Sequence, residues 1–212
     1  MPLFVTIEGG EGAGKTTLVR ALEAKLLGCG VDAPVCATFE PGGTEIGRAL
    51  RQALLDTPWS LQPWTETLLF LADRSEDVER VIRPALDAGS VVLSDRFLDS
   101  TLAYQGYGRG LELDLLRRLN DAVTGGLSPD LTLLLDLPPE LGLARTRARS
   151  GGASEGDRIG DAALAFHQRV NAGFRELAAA EPQRIRIIDA TQSAEHVLRD
   201  VWSLVEPFAR RA

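Results

Sequence analysis

Lysine is nearly missing from this sequence: Lys15 and Lys25 stand alone among 23 basic residues in a chain of 212. There is no N-K-x-D guanine signature, which excludes a GTPase-type switch. Positive charge is short overall. The formal net charge of −7 argues against a nucleic-acid-binding surface, because such surfaces are built as basic patches. No apolar run approaches the roughly 20 residues that span a bilayer, so a membrane protein is not expected. The N-terminus enters a strand-like run almost at once, which leaves no room for a signal peptide. Cysteine amounts to Cys29 and Cys36, close to one helix–strand connection, and we read them as reduced bystanders rather than a disulfide. These absences leave a soluble cytoplasmic chain, 44% hydrophobic and long enough for one well-packed domain.

One of the two lysines sits where a phosphate-binding lysine belongs. The segment Gly9-Gly10-Glu11-Gly12-Ala13-Gly14-Lys15-Thr16-Thr17 matches G-x-x-x-x-G-K-[ST] at every specified position. It follows the apolar run Leu3–Ile7 and precedes Leu18, Leu22 and Leu26, spaced one helical turn apart, so the motif has its strand–loop–helix context. Backbone N–H groups of such a loop approach phosphate oxygens, and the helix N-terminus adds positive potential. Lys15 is expected to reach the β- and γ-phosphates and the Thr16 hydroxyl to ligate Mg²⁺. The chain therefore reads as a nucleoside triphosphate binder.

Strand-like runs recur at Leu3–Glu8, Val35–Phe39, Val91–Ser94, Leu131–Leu137 and Ile185–Asp189, separated by helical patterns. Nearly continuous Val, Leu and Ile predicts a parallel sheet covered on both faces, hence an α/β fold. Thr44 to Leu55 reads as a helix opened by Thr44. A long helix is expected from about Pro63 to Ala88, with Leu68, Leu71, Ser75 and Val78 along one side and Pro84 kinking it or ending it early. Phe166, Val170, Phe174 and Leu177 share one face of a later helix, and Val197, Val201 and Leu204 a face of the last. The small, polar stretch Ser150–Gly156 lies between Arg145, Arg147 and Arg149 on one side and Arg158 on the other. In a triphosphate-binding protein it reads as a mobile lid that excludes water; the plainer alternative is a loose surface loop.

Ligands of an open parallel sheet bind at the carboxyl ends of its strands. That rule gathers Glu11, then Glu40-Pro41-Gly42, then Asp95-Arg96 with Ser100, Thr101, Tyr104 and Gln105. Asp95 can reach Mg²⁺ through water or orient an attacking oxygen, and Arg96 offers a fork suited to phosphate. Asp136, at the end of the fourth run, reads as a structural carboxylate. Two anionic phosphates must be brought together, and arginines from separate elements, Arg74, Arg96 and the Arg145–Arg158 group, are the expected means.

Taken in order, these landmarks resemble bacterial thymidylate kinases: Glu8 to Thr17, Glu40-Pro41-Gly42-Gly43-Thr44, Asp95-Arg96, Ser100-Thr101, Ala103-Tyr104-Gln105-Gly106, Pro129-Asp130-Leu131-Thr132, Leu135-Asp136, Pro139-Glu140, Asp157-Arg158 and Ile188-Asp189-Ala190. The resemblance covers essentially the whole chain. It implies a P-loop NTPase fold, a three-layer α/β/α with a five-stranded parallel sheet, forming a single nucleoside monophosphate kinase domain over 1–212 with a small lid at about 147–158. It implies transfer of the γ-phosphate of Mg-ATP to thymidine monophosphate (dTMP) in a cytoplasmic homodimer. Position by position it implies Phe70 stacked on thymine, Arg74 at the base edge, Thr101 and Gln105 reading the base, and Tyr104 beneath the deoxyribose as a barrier to a 2′-hydroxyl. It further implies Glu11 near the 3′-hydroxyl, Arg96 on the monophosphate beside Ser100, Pro41 lining the pocket and Ala190 in the ATP site. The family places its catalytic arginine in the P-loop or in the lid. Gly12 holds the P-loop position here, which implies the lid type, with Arg149 favoured over Arg147 and Arg158. One departure stands out: Phe39 occupies the place of an arginine usual just before Glu-Pro-Gly-Gly, so that either Arg48 or Arg51 on the next helix compensates or the acceptor phosphate is held somewhat less tightly. Competing readings are a kinase for another monophosphate or a sugar, a nucleotide-dependent switch, and an assembly or DNA-handling ATPase.

Overall fold

Hydrogen-bond pairing in the computed structural model, which describes residues 2–29, 33–57, 60–149 and 164–209, resolves the apolar runs into five parallel strands. In chain order the elements are β1 (Leu3–Gly9), α1 (Lys15–Gly28), β2 (Val35–Phe39), α2 (Glu45–Leu55), α3 (Pro63–Asp77), a π-helical turn (Val78–Ile82) and α4 (Arg83–Asp87). Then follow β3 (Val91–Asp95), α5 (Leu98–Thr101), a second π-helical segment (Leu102–Gly108), α6 (Leu113–Thr124), β4 (Leu131–Asp136), α7 (Pro139–Arg149), α8 (Leu164–Ala180), β5 (Ile185–Asp189) and α9 (Ala194–Ala209). The strand order is β2-β3-β1-β4-β5, an α/β sheet with helices on both faces, as expected. Most of the expected lid, from Ser150 through Asp157 and Arg158, lies outside the described residues.

Side-chain alternation in β1 organises the domain. Leu3, Val5 and Ile7 point into a core with Leu18, Leu22 and Leu26 of α1 and Val201 and Val205 of α9. Phe4 points the other way, into a cluster with Val78, Ile82, Val92 and Phe97. Further along that second face the residues turn polar: Thr6 Oγ1 meets Thr132 Oγ1 at 2.8 Å, and the Glu8 carboxylate meets α5. The sheet thus changes from apolar to hydrogen-bonding chemistry towards its carboxyl edge. The central strands β1 and β3 are buried throughout, whereas β2 and β5 are partly exposed because they have a partner on one side only.

Two helical expectations need correction. Pro84 does not end the long helix; α4 continues past it. The chain widens into the π-turn just before, where Arg83 N–H reaches back five residues to Val78 O, and a widened turn accommodates the ring and the missing donor of proline. The apolar stripe of α3 is also not the one expected. Leu71 and Val78 are buried, but Leu68 is 56% exposed, and the inward face carries Glu66, Thr67, Asp73, Arg74 and Asp77. The polar lining follows from what this helix faces, which is the ligand end of the sheet. Elsewhere the periodicity reads true: Thr44 caps α2 by accepting from Gly47 N at 2.9 Å, and Phe166, Val170, Phe174 and Leu177 are buried along α8. Cys29 and Cys36 are free thiols.

Beneath the second face, Arg184 forks onto both oxygens of buried Asp99 at 2.7 and 2.8 Å and also donates to Thr132 Oγ1. Removing one partner of such a pair leaves an uncompensated buried charge. Arg184→Met is therefore expected to lower unfolding stability by about 3–5 kcal/mol, read as a fall in the urea midpoint, while leaving the cavity residues in place.

Candidate functional site

The loop after β1 turns into α1 at Gly14, whose φ of +96° suits a residue without a Cβ. Lys15 is buried and donates from Nζ to the carbonyls of Gly9 (3.1 Å) and Gly10 (2.9 Å). Burial, with Arg96 next, lowers its pKa below the usual lysine range. In the first turn of α1, Thr16 Oγ1 donates to Asp95 Oδ2 at 2.6 Å, joining the helix start to the end of β3. Gly12 is pressed against the backbone of α7: a Cβ built on it would collide with the carbonyl of Gly142, and one on Gly142 would collide with the carbonyl of Glu11.

Arg96 leaves β3 at φ +76°, in the left-handed region where non-glycine residues store strain. Its amide donates to Ile7 O at 3.0 Å, and the turn into α5 that follows is pinned by Glu8. That carboxylate accepts from Phe97 N (2.8 Å), Ser100 N (3.2 Å) and Ser100 Oγ (2.6 Å). The guanidinium of Arg96 then reaches Glu11 Oε1 at 2.7 Å, Ser100 Oγ at 3.1 Å and Tyr104 Oη at 3.3 Å, and lies 4.9 Å from the Tyr104 ring centroid. Tyr104 Oη donates to Glu11 Oε1 at 3.2 Å. Burial alone would raise the Glu11 carboxyl, but Arg96 and then Lys15 pull it below its ordinary value. The group therefore stays ionised, between two cations that a phosphate also seeks.

At the far end of the cleft, Arg74 on α3 is 1% exposed. Its Nε and Nη2 bond Glu40 Oε2 (2.9 and 2.7 Å), Nη2 also bonds Phe97 O (2.8 Å), and Nη1 bonds Thr101 Oγ1 (2.7 Å) and Asn120 Oδ1 (2.5 Å). All five of its N–H donors are thus engaged, so the base-edge contact implied by resemblance would have to share one of them. Gln105 is nine residues past Arg96 on the second π-segment, and its Nε2 is bound by Glu66 at 2.9 Å. Of the two candidates to replace the arginine missing at Phe39, Arg51 lines the cleft and donates to Pro41 O at 2.8 Å, while Arg48 is exposed on α2. Phe39 itself packs over Gly42.

These groups border one cavity of about 610 Å³. At the P-loop end it is lined by Glu11, Gly12, Gly14, Lys15, Thr16 and Thr17, and at the other end by Pro41, Phe70, Arg74 and Asp95 through Gln105 by way of Arg96, Ser100, Thr101 and Tyr104. Arg149 lines it too. Gly9, Gly10 and Ala13 form the loop without lining the cavity. Ala190 is buried at the end of β5, its carbonyl bound by Arg145 at 3.1 Å. Arg147 is exposed on α7, and Arg158 lies outside the described residues. Asp136 buttresses the rim as expected, bound by Arg175 at 2.9 Å and Asn171 at 3.1 Å. Sequence reasoning did not assign Glu8, Glu66 or Asn120. The signal for Glu8 was present: Phe4, Thr6 and Glu8 share one face of a strand, and an acid there has to be paired.

A second buried group lies under the Glu40–Gly43 loop. Asp73 Oδ1 accepts from Gly42 N at 2.9 Å, and Asp77 Oδ1 from Thr38 Oγ1 at 2.7 Å. Glu40, Asp73 and Asp77 each keep one buried oxygen without a partner among the described residues. Burial pushes Glu40 up to about 8, Asp77 to about 7 and Asp73 to about 6; Asp73 adds to the rise at Asp77, and Thr38 and Arg74 restrain it.

The thymidylate kinase family profile matches residues 7–201. A thymidylate kinase of a Synechococcus strain is 55% identical over 206 residues, covering 97% of this chain and 95% of that protein. One from Desulfovibrio desulfuricans is 55% identical over 214 residues, covering 99% and 97%. Among solved structures, the thymidylate kinase of Ehrlichia chaffeensis superposes with a TM-score of 0.79 at 31% identity, covering 96% of this chain and 98% of that one.

The acidic cluster carries a pH dependence with a definite sign. Between about pH 4 and pH 7 the folded protein holds protons on Asp77 and its neighbours that the unfolded chain has released. Stability must therefore fall as pH rises through that window. Asp77→Asn keeps the acceptor for Thr38 and removes one titration, so its urea midpoint should decline less between pH 5 and pH 8 than that of the wild type. Parallel slopes for the two proteins would exclude Asp77 as a source of the dependence.

Proposed function

Since this chain belongs to the thymidylate kinase family and phosphorylates dTMP, we propose that the two ends of its cavity are the donor and acceptor sites. The observation that carries this reading is that the P-loop cation, the Thr16–Asp95 pair, Arg96, Tyr104 and Arg149 border a single space. ATP lies along the P-loop, with its phosphates on the loop amides and Lys15 Nζ exchanging its loop carbonyls for phosphate oxygens. The monophosphate is held by Arg96 with Ser100, and Arg51 adds positive charge at the place where Phe39 supplies none. Deoxyribose rests on Tyr104 with its 3′-hydroxyl near Glu11. Thymine lies by Phe70, with Thr101 and Gln105 at its edge.

In the reaction an oxygen of the acceptor phosphate bonds to the γ-phosphorus as the bond to the β–γ bridging oxygen breaks, releasing ADP and thymidine diphosphate. The protein's part is positioning and charge compensation. Thr16 Oγ1 and Asp95 Oδ2, 2.6 Å apart, are an all-oxygen pair that fits Mg²⁺, which takes one or two protein oxygens and completes its shell with phosphates and water. Thr16 would hold the ion directly and Asp95 through water; when bound it neutralises charge on the donor phosphates. Arg149 compensates the bridging phosphates from α7, the role that Gly12 leaves open in the P-loop.

We also infer a homodimer working in the cytoplasm. Ile46 on α2 and Trp64 and Leu68 on α3 are 49%, 39% and 56% exposed, an apolar face suited to a second copy. Among the described residues no helix is long and apolar enough to cross a membrane. The net charge of −7 gives no support to a nucleic-acid partner.

Coupled measurement of ADP production with a panel of monophosphates tests the acceptor assignment. dTMP should turn over fastest and UMP far more slowly, because Tyr104 leaves no room for a 2′-hydroxyl; a preference for UMP would remove Tyr104 from that role. Arg149→Met should lower kcat by about 10²-fold with little change in the KM for dTMP, since the contact forms mainly as charge moves. An unchanged kcat would take Arg149 out of the mechanism.

A further inference from the structure

Gln105 is 2% exposed and lines the acceptor end of the cavity, and a carboxamide there can present either an acceptor or a donor. Its orientation is fixed by a neighbour that touches no substrate. Gln105 Nε2 donates to Glu66 Oε1 at 2.9 Å. A carboxylate has acceptor atoms alone, so the nitrogen of the amide must face Glu66 and the oxygen must face elsewhere. Glu66 is itself braced. Arg109 Nε and Nη2 reach its two oxygens at 3.3 and 3.1 Å, and the guanidinium of Arg109 lies 4.4 Å from the centroid of the Phe166 ring. α3 thus supplies the carboxylate, the second π-segment the amide, the residue after that segment the cation, and α8 the ring that the cation rests on. Among the described residues no group donates to Gln105 Oε1.

We propose that Glu66, braced by Arg109, is a positioning residue that turns the oxygen of Gln105 towards the base and so selects a pyrimidine that donates at N3. The inference rests on the acceptor assignment given above. Thymine carries N3–H between two carbonyl oxygens; cytosine carries a lone pair at N3 and an amino group beside it. An oxygen at Gln105 accepts from the first and meets the second lone pair to lone pair. To suit cytosine the amide would have to turn over, which would set its oxygen against the Glu66 carboxylate and break a charge-assisted hydrogen bond. Because both residues are buried, water does not soften that exchange.

The test compares kcat/KM for dTMP and for deoxycytidine monophosphate (dCMP) in the wild type and in Glu66→Gln. In that variant the new amide keeps its oxygen on Arg109 Nη2 and turns its nitrogen to Gln105, giving up the 3.3 Å bond from Arg109 Nε, and Gln105 turns over to accept. The dTMP/dCMP ratio is expected to fall by about 10- to 100-fold, the worth of one hydrogen bond to a charged group. The change should appear mainly in the acceptor KM, with the KM for ATP unchanged. Combining Glu66→Gln with Gln105→Glu exchanges the two groups, keeps the net charge and again presents an oxygen to N3, so it should restore the ratio. An unchanged ratio in Glu66→Gln, or equal losses with both acceptors, overturns the proposal. Should the single variant fail to fold, the exchanged pair decides: retained preference for dTMP supports the proposal and its loss overturns it. Gln105→Ala separates the two levels of inference. If it leaves the ratio unaltered, Gln105 does not read the base. If it collapses the ratio while Glu66→Gln does not, the positioning role alone is wrong.

Discussion

The site depends on one carboxylate at the end of the central strand. Glu8 accepts two backbone amides and a hydroxyl from the turn after β3, and the same turn holds Arg96 in a left-handed conformation. A strained non-glycine residue costs about 1–3 kcal/mol, so it persists where its surroundings over-determine it. Burial raises Glu8 to about 7, with nearby Asp99 adding to the rise, while its bond to Ser100 and the charge of Arg96 work the other way. The amide of Arg96 on Ile7 O and the Ser94 hydroxyl on Arg96 O complete the set of bonds that hold this conformation. The P-loop, Arg96 and Tyr104 are thereby joined through a residue that faces the core.

What could be read in the sequence was what is local. Five strands fell within one residue of their observed ends, because their Val- and Leu-rich runs are bounded by polar or glycine-containing turns. The P-loop and the Thr44 cap were legible because both are fixed by neighbours a few residues away. Features set by distant partners were hidden. Leu68 reads as core from its spacing, but α3 turns its polar side inwards because the cavity lies there. Arg74 reads as a group free to meet a ligand until Glu40, Phe97, Thr101 and Asn120 are folded around it. Neither π-segment has a sequence signature. The second carries Tyr104 and Gln105, and wider turns of this kind recur at functional sites.

The cavity also shows how unevenly charge is distributed in an acidic chain. Around the P-loop end the cations Lys15, Arg96 and Arg149 line the cavity together with the acids Glu11 and Asp95, an arrangement of mixed charge rather than a bare positive patch. Behind the Glu40–Gly43 loop acids gather instead: Glu40 pairs with Arg74, Asp73 and Asp77 lie close by, and burial raises the pKa of all three. Helix α3 supplies Asp73, Arg74 and Asp77 to this second group, which explains why its inward face carries so few apolar side chains.

The touching backbones of Gly12 and Gly142 act as the zero mark of a ruler. They fix where α7 begins relative to the P-loop, and Arg149 then lies seven residues past Gly142, about 10.5 Å along the axis at 1.5 Å per residue. One residue inserted between them would lengthen that distance little but would swing Arg149 about 100° around the helix, away from the cavity. The contact also closes an evolutionary path. A side chain at Gly12, arginine included, meets the carbonyl of Gly142, so moving the cation into the P-loop would require α7 to be repositioned first.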